Sequence, residues 1–169
     1  MKPFQTYSLK LLIIGCGNIL AGDDGVGVYA AKKLAEQKLP PNVEVVEAGT
    51  PGLNLISLLE GADAAIIVDA LKLGKPKGSI HRLDPKKLET LSLPLSAHEL
   101  GVAEALKLGF KLFPEKMPKH LVIIGVEVGE TTSFKVGLSP EVERALPKLI
   151  EEVLREAGRL LRVGGPEGI

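Results

Sequence analysis

The sequence predicts an α/β three-layer sandwich: a mostly parallel sheet of about five strands with helices on both faces. Three observations carry this. Short apolar runs at 11–14, 43–46, 64–68 and 121–126 have strand length, and the longer ones show the unbroken hydrophobicity of strands buried on both faces. Between them lie segments with helical apolar spacing, such as Val26, Tyr29, Ala30 and Leu34. Strand and helix signals alternate along the chain, the order expected of a layered parallel sheet. No linker, internal repeat or low-complexity stretch divides the 169 residues. A single domain over 1–169 is therefore expected, with its core at about 9–161.

Residues 1–8 read as a short leader and 164–169 as a loose tail. The first strand, 11–14, runs into a loop with glycines at 15, 17 and 22, which permit a tight turn. A helix follows from Val26 to about Lys38, ended by Pro40 and Pro41. The second strand, 43–46, leads into a loop at 47–52. Leu53, Ile56 and Leu59 mark a short helix. The third strand, 64–68, stops at Asp69. After a Gly/Pro/Lys turn at 74–78, residues 79–83 alternate as an edge strand does, and that strand is free to run antiparallel. Ser96 and Glu99 form a capping-box pattern, opening a helix to about Leu108. The last buried strand is 121–126, followed by an unperiodic loop at 127–135. Ser139 caps a final helix with Pro140 in its first turn. Its stripe is Val142, Leu146, Leu149, Val153 and Ala157, and Pro147 is expected to kink or split it.

Composition excludes several classes of function. Lys plus Arg and Asp plus Glu both number 21, so no basic excess draws the chain to nucleic acid or anionic membrane. Aromatics at 4% leave little for a base-stacking surface. One cysteine rules out an intrachain disulfide and a multi-cysteine metal site. No apolar signal segment stands at the N-terminus, and no run is long enough to insert in a membrane, so a cytoplasmic location is expected.

The glycine loop invites a nucleotide, but Leu20 stands where the third glycine of the dinucleotide fingerprint belongs. Asp23 and Asp24 follow at the helix entrance. A phosphate about 4 Å from either would be repelled by roughly 4 kcal/mol at a surface-like dielectric. A cation would gain from the same charges. In open α/β sheets ligands bind outside the carboxyl ends of the strands. Asp24, Asp69 and His98 fall at that edge, and two carboxylates with an imidazole suit a divalent transition metal. The helix N-terminus would keep the His98 ring neutral and able to ligate. Each member has a plainer alternative: helix capping for one Asp, turn capping for Asp69, a solvated or structural ring for His98. Asp23 is read as a helix cap, with a catalytic base as its other role. His81 and His120 read as solvated, and Cys16 as a small buried filler rather than a nucleophile.

Several motifs together carry a resemblance. They are Gly15-Cys16-Gly17-Asn18-Ile19-Leu20 running into Asp23-Asp24-Gly25-Val26-Gly27, then Gly49-Thr50-Pro51-Gly52, Ile66-Ile67-Val68-Asp69-Ala70, Ser96-Ala97-His98-Glu99-Leu100-Gly101 and Gly137-Leu138-Ser139-Pro140. In these the chain resembles the nickel-iron hydrogenase maturation endopeptidases over roughly residues 10–160. The resemblance implies a twisted five-stranded sheet and an enzyme that trims a C-terminal extension from the nickel-loaded hydrogenase large-subunit precursor. It assigns metal binding to Asp24, Asp69 and His98, with nickel supplied by the substrate; another divalent metal could occupy the isolated protein. It also makes Glu47, Gly49 and Thr50 a substrate-facing loop, where family members often have Asp-Gly-Gly-Thr. A transiently interacting monomer is expected. The rival readings are a non-enzymatic nickel-binding checkpoint or chaperone and, further off, a dinucleotide-binding oxidoreductase.

Overall fold

A computed structural model describes residues 9–87, 101–130 and 134–163 of the chain. Five strands form one sheet: β1 (Leu11–Cys16), β2 (Val43–Gly49), β3 (Ala64–Leu71), β4 (Ile80–Leu83) and β5 (His120–Glu127). Their spatial order is β2-β1-β3-β5-β4. All neighbours are parallel except β4, which runs antiparallel to β5 at the edge, an orientation its alternating pattern allows.

The helices are α1 (Val26–Ala35), α2 (Asn54–Leu59), α3 (Val102–Leu112) and α4 (Pro140–Val163). Alternation along the strands divides the core into two layers. Leu11, Ile13, Ile66, Val68, Ile124 and Val126 face α1 and α4, whereas Ile14, Ile67, Leu71 and Ile123 face α2 and α3. Strands clothed on both sides need no polar face, which is why their sequences read as unbroken apolar runs.

Several boundaries differ from the sequence expectation. β2 continues through Glu47 to Gly49, because β1 pairs with it to Cys16 and a register shift after Gly15 absorbs Ala48. β3 does not stop at Asp69 but continues to Leu71, since Asp69, Ala70 and Leu71 pair with Gly125, Val126 and Glu127. A polar residue need not end a strand whose neighbour offers ladder partners. α1 ends at Ala35, about three residues early. α3 opens at Val102, with extended backbone at Gly101, and runs four residues beyond Leu108. The Ser96–Glu99 capping pattern and His98 lie outside the described residues, as do the expected leader and tail.

α4 is one helix and Pro147 does not split it. Pro147 is exposed, so the backbone carbonyl freed by its missing N–H faces water, while the buried stripe runs along the other side. Glu156 on that helix is buried and accepts hydrogen bonds from Arg82 of β4 and from Arg159. The two guanidinium groups offset its burial and hold its carboxyl below the usual range. Glu127, at the end of β5, is also buried and accepts the N–H groups of Leu73 and Gly74 at 2.8–3.0 Å. It closes the turn that leaves β3 by holding the two backbone donors of that turn.

Candidate functional site

The carboxyl ends of β1 and β3 lie side by side, in register through Gly15 and Val68. β1 leads into a loop that returns through a 3-10 turn at Gly22–Gly25 before α1 begins. Gly17 makes this return possible. Its φ is +134°, and a Cβ there would lie 2.0 Å from the Asp24 carbonyl oxygen. The loop is folded back so tightly on the Asp24 backbone that only hydrogen fits.

This folding fixes the Asp24 side chain. Its Oδ2 accepts the backbone N–H of Asn18 at 2.9 Å. The Asn18 Oδ1 in turn accepts the N–H of Leu20 at 2.9 Å, a turn that Asn side chains commonly make two residues on. The N–H a phosphate would use is thus already committed to a carboxylate. Asn18 is a site residue that carried no expectation of its own from the sequence, although an Asn between a glycine turn and an acidic pair is the signal for this arrangement.

Asp69 is half-buried on β3, one position beyond the residue level with Gly15, so it stands level with Cys16. Its Oδ1 accepts the N–H of Ala70 at 2.8 Å. Burial pushes the Asp69 carboxyl up to about 7; the Ala70 hydrogen bond works against this, and the charge of Asp24 adds to it. Cys16 is 2% exposed, and burial followed by the Asp69 charge raises its thiol well above the ordinary value. A thiol held protonated is a poor nucleophile, in keeping with its reading as a filler.

Two carboxylates close enough for the charge of one to raise the other's pKa, with no basic group bonded to either among the described residues, form an arrangement that a cation would relieve. Among the described residues no group of three His, Cys, Asp or Glu side chains is arranged to hold a metal ion. The third expected ligand, His98, lies outside the described residues. The first turn of α3 is made by residues from Val102 onward, so the helix-terminus argument for a neutral His98 has no support in this element.

Asp23 departs from expectation. Neither it nor Asp24 caps α1, which has no side-chain cap. The Asp23 carboxylate is 7% exposed and accepts the backbone N–H of Ser139 at 2.6 Å and its hydroxyl at 2.7 Å, with Lys77 Nζ 3.5 Å away. Asp23 is a cap after all, but for α4, where an anion also meets the positive helix end. Ser139, expected to cap α4 itself, gives its hydroxyl to Asp23. The Asp23→Ala variant is expected to lose about 1–3 kcal/mol of stability, read as a lower urea midpoint. If Asp23 were instead the catalytic base, turnover would collapse while the midpoint stayed put.

The expected substrate loop is partly strand. Glu47 sits on β2 opposite Gly15, exposed, 3.8 Å from Lys32 Nζ. Gly49 ends β2 at φ +62°, and its carbonyl accepts the Gly17 N–H at 2.7 Å, tying this segment to the Asp24 loop. Thr50 follows, exposed. His81 is half-buried, with Nε2 2.7 Å from the Ser79 hydroxyl, and His120 is exposed at the start of β5. Two clefts among the described residues, lined in part by Arg82 and Glu156, lie away from the carboxylate pair.

A family described as hydrogenase maturation protease matches residues 28–156. The chain belongs to the hydrogenase maturation protease family. It is 37% identical over 151 residues to a putative hydrogenase maturation protease of Methanocaldococcus jannaschii, covering 86% of this chain and 95% of that protein. It is 32% identical to the hydrogenase 2 maturation protease of Escherichia coli, covering 89% and 93% of the two chains. The solved structure of the maturating endopeptidase HybD from E. coli superposes with a TM-score of 0.76 at 32% identity, over 89% of this chain and 94% of that one. A maturation protease HybD from Thermococcus kodakarensis gives 0.69 at 28% identity, over 88% and 99%. The protease is thus a peptide-bond hydrolase on an α/β fold, which removes the dinucleotide-oxidoreductase reading. No helix among its described residues is long and apolar enough to cross a membrane.

Proposed function

We propose that this maturation protease removes a C-terminal extension from a nickel-loaded hydrogenase large-subunit precursor, and that the metal guides recognition. The observation that carries the reading is the pairing of Asp24 and Asp69 at one sheet edge, where burial and the charge of Asp24 leave Asp69 titrating near 7. Such a pair is unfavourable alone and becomes favourable once a divalent cation is shared. Asp24, Asp69 and His98 would grip nickel carried by the precursor. Asp24 is preset for this by the Asn18 N–H, which leaves its other oxygen without a hydrogen bond among the described residues. A divalent metal so placed would supply a Lewis acid able to polarise a carbonyl or lower the pKa of a water. The larger contribution of the protein is to fix the scissile bond beside that centre. Glu47, Gly49 and Thr50, tied to the Asp24 loop through Gly17, would face the substrate. The protease would act in the cytoplasm, as a monomer meeting its precursor transiently.

The test is intact mass of the precursor after incubation, with nickel-loaded and nickel-free forms compared. Loss of a C-terminal peptide only from the loaded form is expected. His98→Ala is expected to slow that loss by about 100-fold. Normal processing by His98→Ala would remove the ligand scheme. A loaded precursor that binds but is never shortened would favour a nickel-binding checkpoint.

A further inference from the structure

Beside the carboxylate pair the chain exposes apolar side chains that do nothing for its own core. Phe134 is 93% exposed, Val136 72% and Leu20 53%. Phe134 also holds φ at +63°, and among the described residues it is the non-glycine residue with positive φ. A bulky side chain in that region is strained, and a fully exposed ring returns nothing to folding for it.

These residues form one platform. Lys135 and Ala21 make an isolated parallel bridge: the Lys135 N–H donates to the Leu20 carbonyl at 2.8 Å, and the Gly22 N–H to the Lys135 carbonyl at 2.6 Å. Four residues on, Ser139 is bonded to Asp23. Segment 134–139 is therefore stitched at two points to segment 20–23, which carries Asp24 as its next residue. The same turn is wired to the site, since Leu20 donates to Asn18 and Asn18 to Asp24. The apolar surface is thus joined through hydrogen bonds to the loop that carries Asp24.

We propose that Leu20, Phe134 and Val136 form the docking surface for an apolar stretch of the protein substrate near its cut site. This rests on the function proposed above. A protease needs affinity for polypeptide beyond one metal contact, and in protein–protein interfaces a few large side chains that become buried on binding carry most of the affinity. A shelf fixed by hydrogen bonds to the site loop holds the bound segment in register with Asp24 and Asp69. Anchoring at a fixed distance from the centre would set which peptide bond is presented.

The experiment measures KM and kcat on the nickel-loaded precursor for wild type, Phe134→Gly, Val136→Ser and a control, Leu112→Ser. Leu112 is 57% exposed at the end of α3, away from this platform. Phe134→Gly relieves the positive φ, so it should melt no lower than wild type. Its KM should rise about tenfold with kcat within about twofold, Val136→Ser should follow in the same direction, and Leu112→Ser should match wild type. Unchanged KM in both platform variants overturns the inference, as does an equal rise in Leu112→Ser. Sedimentation showing a wild-type dimer that Phe134→Gly dissociates would assign the surface to a second copy instead. If wild type leaves the loaded precursor at full mass, the proposed function fails first and takes this inference with it.

Discussion

Asp69→Asn is expected to fold at least as stably as wild type at pH 8 and to shorten the loaded precursor at least about 100-fold more slowly. The substitution keeps shape and removes charge. In the folded protein the Asp69 carboxyl is raised from 3.8 to about 7, chiefly by burial. A raised carboxyl favours folding in its protonated form. That contribution is fully present below pH ~4 and is lost as pH rises through about 7, leaving an ionised group the interior disfavours. Relative to Asp69→Asn, wild type should therefore lose on the order of 3–4 kcal/mol between pH 4 and pH 8. Paired melting curves across that range check it. A variant that melts lower than wild type at pH 8 would mean that the ionised carboxylate has stabilising partners. The functional effect has the opposite sign for the same reason. A site that disfavours its own negative charge gains most when a cation arrives, and Asn has no such charge to offer.

Gly27→Ala is expected to destabilise the protease by about 3 kcal/mol, although helix propensity alone would favour Ala by ~1 kcal/mol at this position in α1. The structure opposes propensity. A methyl at Gly27 would lie 2.2 Å from the Val68 carbonyl oxygen and 2.3 Å from that of Cys16. Both are backbone atoms, one at the end of β1 and one within β3 just before Asp69, so neither can swing aside. The helix must lift off the sheet where β3 carries Asp69 and where β1 runs into the Asp24 loop. Chemical denaturation reads the sign directly: a raised midpoint would show that the helix can move off the sheet at little cost. Processing should fall along with stability in this variant, because the carboxylates are separated when the helix moves. In Asp69→Asn the two readouts part company.

The layered fold is legible in the order of the residues alone, and so is the family. Both rest on contiguous residues. Unbroken runs such as 64–68 report burial on two faces, helical spacing from Val26 reports a helix packed on one side, and the glycine loop lies wholly within 15–27. Asp24 and Asp69 are reached by the same means, since strand order and direction bring the carboxyl ends of parallel strands to one edge. What contiguous residues cannot report is who bonds to whom across the chain. The partner of Asp23 is Ser139, 116 positions away, and no local pattern distinguishes an acid that caps the next helix from one that caps the last. Strand ends share this limit. Polarity begins after Val46 and Val68, which makes β2 and β3 look finished there, yet they continue to Gly49 and Leu71 on the hydrogen bonds of their neighbours. Tertiary structure alone raises Asp69 to about 7, since desolvation and the Asp24 field depend on what folds over a residue and not on what flanks it. It alone also places Phe134 and Val136 beside Leu20, through a bridge between segments more than a hundred residues apart.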